Sequence, residues 1–276
     1  MLDDGKVLVE CGPLRMFIEG SESGLPQPDL CMEAAESAVG YLEEIAQAWA
    51  VLKKPFEHIP EPSSGSLVHE MWRAVSLVGH KDLTPMAAVA GTIADATADV
   101  LDKQGLTRVV VNNGGDIAVR LKDPESLNIG IRPDVSSHEI SHTIRVHPSS
   151  HIGGICTSGL GGRSLSRGVA SAATVFAARA SMADAAATAI ANSTYISHPS
   201  VKRVLAEQLD PDTDLKGMEV TVSVGTLDKP DVDRALMQGI NCAEELVEKR
   251  IIHGACVVVR GKMACTKTFS PLIHVL

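Results

Sequence analysis

Two spacings of apolar residues alternate along the chain. Around Gly12-Pro13, residues 7–10 and 14–18 carry short apolar runs that read as a pair of strands. A Gly/Ser/Pro loop follows over residues 20–28. Leu30, Ala34, Ala38, Leu42, Ile45 and Trp49 then recur at three to four residues, which predicts one long helix over 29–52. Three prolines make 55–65 a loop, and Ser66 is placed to cap a helix running to Val78. Thr84 as N-cap and Pro85 as first helical residue predict a sharp helix start, with the helix reaching Gln104 and Gly105 ending it. Residues 108–112 and 117–121 read as strands joined by an Asn-Gly turn. Further strands are expected over 127–132, 140–146, 170–177 and 219–224, and helices over 181–191, 201–209 and 231–250. Residues 252–260 and 263–269 read as a terminal hairpin.

Strands and helices mix without a regular βαβ rhythm, and many neighbouring strands join as hairpins. The expected class is α+β, a mixed or antiparallel sheet with packed helices. No linker divides the chain, so residues 1–276 are read as a single domain.

Composition narrows the function classes. Aromatic residues are only 3% and the net charge is −9 with no run of Lys or Arg, so a nucleic-acid partner is not expected. No stretch of about 18 apolar residues exists, so no membrane span is expected. The acidic N-terminus lacks an apolar signal core, and the six cysteines form no C-x-x-C pair. Together these predict a cytoplasmic protein with reduced thiols.

Several constellations could carry chemistry. Asp184 and Thr188 lie four apart among small residues, so a helix presents a carboxylate and a hydroxyl on one face, an oxygen set suited to Mg²⁺. Asn113, Gly114, Gly115 and Asp116 form a turn that a ligand could approach closely. Thr157, Ser158, Gly159, Gly161 and Gly162 form a loop whose backbone N–H groups could nest an anion, with Arg163 and Arg167 adding charge. Asp95 sits among Ala and Thr in the helix after Pro85, with Asp99 four residues on. His138-Glu139-Ile140-Ser141-His142 matches the zinc-protease pattern, but apolar and polar residues alternate there as in a strand. Two imidazoles four apart on a strand stand about 13 Å apart, too far to share a metal. Each pattern taken alone also fits a bland structural role: a small-residue helix, a hairpin turn, a flexible loop or a solvated helix face.

Taken in order, Gly91 to Asp95, the Gly114-Gly115-Asp116 turn, Thr157-Ser158-Gly159 and Ala183-Asp184-Ala185-Ala186-Ala187-Thr188 resemble the motifs of the ApbE superfamily of magnesium-dependent flavin transferases. Thr84 to Gly91, Asn113 to Ile117 and Ala183 to Asn192 are more similar still to an uncharacterised ApbE-like branch. The resemblance implies a two-layer α+β fold related to the T-fold. It implies Asp184 and Thr188 as Mg²⁺ ligands, helped by a backbone carbonyl near Val89 and Ala90. It also implies a pocket for FAD or FMN lined by the glycine segments and Asp95, and an acceptor protein of unstated identity. Two departures bear on the chemistry. Ala90 stands where the family has Lys, and no His lies between Thr157 and Asp184.

Three functions follow as expectations. The first is a Mg²⁺-dependent enzyme acting on a small phosphorylated ligand, with Asp95 and Ser164 as catalytic candidates and Ser166 as an alternative to Ser164. The second is a non-catalytic flavin- or nucleotide-binding protein. The third is a metal-dependent hydrolase using the imidazoles between His138 and His151. The Ala-rich helices offer flat surfaces suited to a homodimer.

Overall fold

The apolar alternation at the N-terminus closes into a hairpin, β1 (Val7–Cys11) and β2 (Leu14–Glu22), with Val7 opposite Ile18. A computed structural model describes residues 5–131, 142–162, 164–269 and 274–275. Strand β2 runs past the expected loop into a short return strand, β3 (Leu25–Pro26), through Ser23 and Gly24, both at positive φ. Helix α1 (Pro28–Gln47) stops short of Leu52. The chain leaves helical geometry at Ala48 (φ −92°, ψ 2°) and resumes for one turn as α2 (Trp49–Leu52). Helix α3 (Leu67–Val78) begins as expected, with Ser66 Oγ accepting the His69 N–H at 3.1 Å.

The helix expected from Pro85 is two pieces. A 3₁₀ turn, Pro85–Ala88, precedes α4 (Val89–Lys103). Thr84 does not cap it, because its hydroxyl hydrogen-bonds the Asp214 carboxyl instead. Strands β4 (Arg108–Asn113) and β5 (Asp116–Leu121) form the expected hairpin. Next come β6 (Leu127–Ile131), β7 (His142–Val146), β8 (Gly154–Ser158), β9 (Ala172–Ala177) and α5 (Ala180–Ser193). The helix expected over 201–209 is instead a strand, β10 (Val201–Leu205), followed by a 3₁₀ turn at Ala206–Gln208. Tertiary pairing overrides its weak helical pattern. β10 lies antiparallel to β11 (Glu219–Val224), and the Arg203 guanidinium bonds Glu219. The chain ends with α6 (Lys229–Glu248), the hairpin β12 (Gly254–Val259) and β13 (Lys262–Cys265), and β14 (His274–Val275).

The main sheet runs in the order β1-β2-β4-β5-β8-β9-β12-β13, with β3 on β2, and every described pairing is antiparallel. The fold is therefore α+β, as the hairpin pattern predicted. Period-2 alternation sorts the strand residues onto two faces. Val111, Ala118, Cys156, Val175 and Val257 face the larger core, which lies under helices α1, α4, α5 and α6. Val119, Ile155, Phe176 and Cys256 face the other way, into a smaller core with Ile144, Val146 and Phe269. The small sheet β6-β7-β14 covers that second face. Among the described residues, no helix is long and apolar enough to cross a membrane.

Candidate functional site

Helices α4 and α5 meet where both carry small residues, and that contact builds the floor of a cleft. A Cβ on Gly91 would fall 2.3 Å from the Ala180 carbonyl oxygen and 2.9 Å from the Asp184 Cβ, so only glycine allows this approach. The Gly91 N–H donates to Asp184 Oδ2 at 2.9 Å. One turn further on α5, Thr188 lines the same cleft, which has a volume of about 650 Å³. The β4–β5 turn forms one wall. Asn113 is buried there, and its side-chain amide donates to the Ala90 carbonyl at 3.2 Å. Gly114 and Asp116 face the cleft beside it. Thr157, Ser158, Gly159, Gly162 and Ser164 form the opposite rim. Gly159 is pressed so close to Ser171 that a Cβ would lie 2.5 Å from its carbonyl oxygen.

The cleft thus gathers Asn113, Gly114, Asp116, Thr157, Ser158, Gly159, Gly162, Ser164, Asp184 and Thr188 from segments up to 75 residues apart in sequence (113 to 188). Gly115 and Gly161 belong to the same turns but lie outside its wall. Arg163 and His138 lie outside the described residues. Arg167, expected beside the anion loop, gives its guanidinium to Asp82. Ser166 is buried, and its hydroxyl has no partner among the described residues.

Asp95 does not reach the cleft. It is 2% exposed, and both carboxylate oxygens are engaged: Oδ1 accepts from Arg120 at 2.9 Å and Oδ2 from the Ser181 N–H at 2.9 Å. It therefore caps the first turn of α5 from a neighbouring helix. Asp99, expected on a solvated helix face, is instead bound by Arg120 and Arg179, the latter through both oxygens at 3.0 and 2.7 Å. Burial alone would raise the Asp99 pKa, but the two guanidinium groups overcome it and hold the carboxyl below its ordinary value.

The electrostatics of the floor are unusual. Burial, and then the charge of Asp116, push the Asp184 carboxyl well above its ordinary range, and the N–H groups of Gly91 and Ala90 offset only part of this. Asp184 is half-buried and lines the cleft, and no cation pairs with it among the described residues. The other charged groups along the cleft are Glu10, Asp82, Asp116, Asp210 and Asp214, with Arg15 the one cation among the described lining residues. Such a cleft repels a bare phosphate and attracts a hard cation.

The donor set fits magnesium. Asp184 and Thr188 offer only oxygen ligands, with Asp116 as a second carboxylate nearby. Among the described residues, no three His, Cys, Asp or Glu side chains converge on one metal position. Protein atoms would at most supply part of a shell, as is common for Mg²⁺, which is held by one or two carboxylates with phosphates and water completing it.

The structure adds residues that the motif reading missed. Asp214, pushed up chiefly by burial, bonds Thr84 at the cleft edge. Trp49 also lines it, its indole N–H donating to Asp212 at 3.3 Å. The run Asp210-Pro211-Asp212-Thr213-Asp214 was the available signal for this wall. Of the imidazoles of the third expectation, His138 lies outside the described residues, and among the described residues no three metal-ligating side chains converge. His142 opens strand β7, as the alternation required, and neither it nor His147 or His151 lines the cleft.

The family model described as "AbpE bacteria" matches residues 1–265. A UPF0280 protein of Methanococcoides burtonii is 39% identical over 163 residues, covering 58% of this chain and 66% of that protein. One of Methanosarcina acetivorans is 34% identical over 177 residues, covering 62% and 68%. The aligned stretch thus spans about two thirds of these relatives. Among solved structures, the flavinyl transferase ApbE of Pseudomonas stutzeri superposes with a TM-score of 0.53 at 14% identity, covering 98% of this chain and 97% of that one. The flavin transferase ApbE of Vibrio cholerae does so at 0.52 and 13%, covering 97% and 98%. At these identities the superpositions speak to fold alone, and the family match speaks to descent: the chain belongs to the AbpE bacteria family, an ApbE-like branch with the flavin-transferase fold.

Proposed function

We propose that the cleft binds a phosphorylated nucleotide, with FAD or FMN as the leading candidates, through Mg²⁺ held by Asp184 and Thr188, and acts on its phosphoanhydride or phosphoester. The observation that carries this reading is Asp184 itself: a carboxylate raised by burial and by Asp116, on the floor of a cleft, with no cation paired to it among the described residues. Bound there, Mg²⁺ supplies charge neutralisation at the phosphate. Gly91 fixes one carboxylate oxygen of Asp184, which lines the cleft. At the rim, Gly159, Gly162 and Ser164 line the cleft, where backbone N–H groups and the Ser164 hydroxyl would meet phosphate oxygens. The shared fold with two flavin transferases supports flavin as the ligand class.

A second reading, binding without turnover, is favoured by one observation. Among the described lining residues no imidazole or lysine stands ready as a general base.

Titration calorimetry of FAD, FMN, ADP and ATP into the purified protein, with Mg²⁺ and with EDTA, tests the reading. Mg²⁺-dependent binding lost in Asp184→Ala is expected. Binding of none of the four, or binding indifferent to both EDTA and the substitution, removes it. Assay of the bound nucleotide for cleavage separates enzyme from binding protein.

A further inference from the structure

Outside the cleft lining, the terminal hairpin carries two thiols directly opposite one another. Strands β12 and β13 are joined by a two-residue turn, Arg260-Gly261, with φ of 52° and 77°. This is the turn that closes a hairpin on a hydrogen-bonded pair, here Val259 and Lys262. Counting back, Val257 and Ala264 form the next such pair. The Thr266 N–H then donates to the Ala255 carbonyl at 2.9 Å. Cys256 and Cys265, paired between these two positions, therefore occupy a site without ladder hydrogen bonds. At such sites the Cα atoms stand about 4.5 Å apart and the side chains approach most closely. That spacing falls inside the range a disulfide spans without backbone movement.

We propose that Cys256 and Cys265 are a redox-modification site, a dithiol that closes to a cross-strand disulfide when it meets a small-molecule disulfide oxidant such as oxidised glutathione. The Cys265 thiolate attacks one oxidant sulfur and expels a glutathione thiolate, leaving a mixed disulfide. Cys256 attacks the Cys265 sulfur and passes its proton to the departing second glutathione, which leaves as the thiol. Two electrons pass from the pair to the oxidant, one S–S bond is made and one is broken.

The two sulfurs differ in the way this sequence requires. Cys265 is half-buried and can be reached, whereas Cys256 is 1% exposed. The hydrogen bond between them lowers the Cys265 pKa and, together with burial, raises that of Cys256. Thiolate character and access thus coincide on Cys265. Elsewhere burial works the other way: Cys31 is pushed up to about 11, and Cys156 and Cys242 are also raised. Strand β13 is the outer strand of the main sheet, held by β12, so the bridge would tie a sheet edge in place.

Native protein, fully reduced and then incubated anaerobically with oxidised glutathione, is quenched with acid, alkylated and mapped by mass spectrometry. The expected product has lost two of its six titratable thiols, with the Cys256 and Cys265 peptides linked. Cys256→Ser should instead accumulate a glutathione adduct on Cys265, while Cys265→Ser should leave Cys256 unreacted. Retention of all six thiols in the wild type, or a stable adduct on Cys265 without closure, overturns the proposal. The wild-type measurement decides this even where a variant folds poorly.

Discussion

The Gly91 N–H points at Asp184 Oδ2, 2.9 Å away, where α4 and α5 pack too closely for a Cβ at residue 91. One hydrogen bond and one missing Cβ together fix the carboxylate on which the proposed metal site depends. One turn along α4, Asp95 accepts the Ser181 N–H at 2.9 Å. Two residues four apart on α4 therefore hold α5 at two points on either side of its first turn.

Gly91→Ala tests that crossing. The new methyl meets the Ala180 backbone at 2.3 Å, where no flexible side chain can give way. The helices must separate, at about 1–3 kcal/mol for an overpacked contact. Urea unfolding should show the loss. Mg²⁺-dependent nucleotide binding should weaken by more than stability alone explains, because Asp184 is displaced. Unchanged stability and binding would mean that the helices are less constrained than their separation implies.

Asp184→Asn tests the raised carboxyl through pH. A folded-state pKa above the unfolded one gives stability that is present below the ordinary value of 3.8 and is lost as pH rises through the folded pKa. Each tenfold weakening of the acid costs the folded, metal-free protein about 1.4 kcal/mol at neutral pH. Without Mg²⁺, Asp184→Asn should be more stable than the wild type at neutral pH, and the difference should vanish toward pH 4. With Mg²⁺ the wild-type Tm should rise and that of the variant should not. Thermal melts across pH, with and without Mg²⁺, check both statements. A variant less stable than the metal-free wild type at neutral pH would contradict them.

Asp95→Asn tests whether Asp95 is structural. The substitution leaves Arg120, only 14% exposed, facing a neutral amide, and weakens the hold on the Ser181 N–H. Arg120 keeps Asp99 at 2.8 Å, so the loss should be about 1–3 kcal/mol rather than that of a fully broken buried pair. Asp99→Asn should cost less, because Asp99 is 30% exposed and both guanidinium groups keep Asp95. Asp99 contributes stability above its ordinary pKa that is lost as pH falls through its lower folded value, so its variant should show a shallower loss in acid. Denaturant midpoints rank the two. The reverse ranking would assign Asp95 a role outside this network.

Local chemistry settled much of the fold in advance. Ser66 caps α3, the 219–224 alternation is strand β11 to the residue, and the hairpin expected at Asn113-Gly114 closes one residue later, on the Gly114-Gly115 turn, with Asn113 ending β4. These are short-range choices, decided by a side chain and its neighbours within four residues. The motif segments were legible for the same reason: Asp184 with Thr188, the Asn113 to Asp116 turn and Thr157-Ser158-Gly159 are contiguous in sequence, and the structure brings all three to one cleft.

What the sequence by itself could not determine was which polar group meets which. Residues 201–205 became a strand because β11 was there to pair with them. Thr84 gave up its cap because Asp214, 130 residues on, came within reach. Asp95 and Asp99 carry the same helical spacing as a solvated face, yet they are claimed by Arg120 and Arg179, which arrive from β5 and from the loop before α5. Hydrogen bonds and ion pairs act over a few ångströms, while the residues that make them stand tens of positions apart, so only the packed chain decides their partners. The same holds for Asp184: its place on a helix face followed from spacing, but its raised pKa follows from the burial that the tertiary fold imposes and then from Asp116.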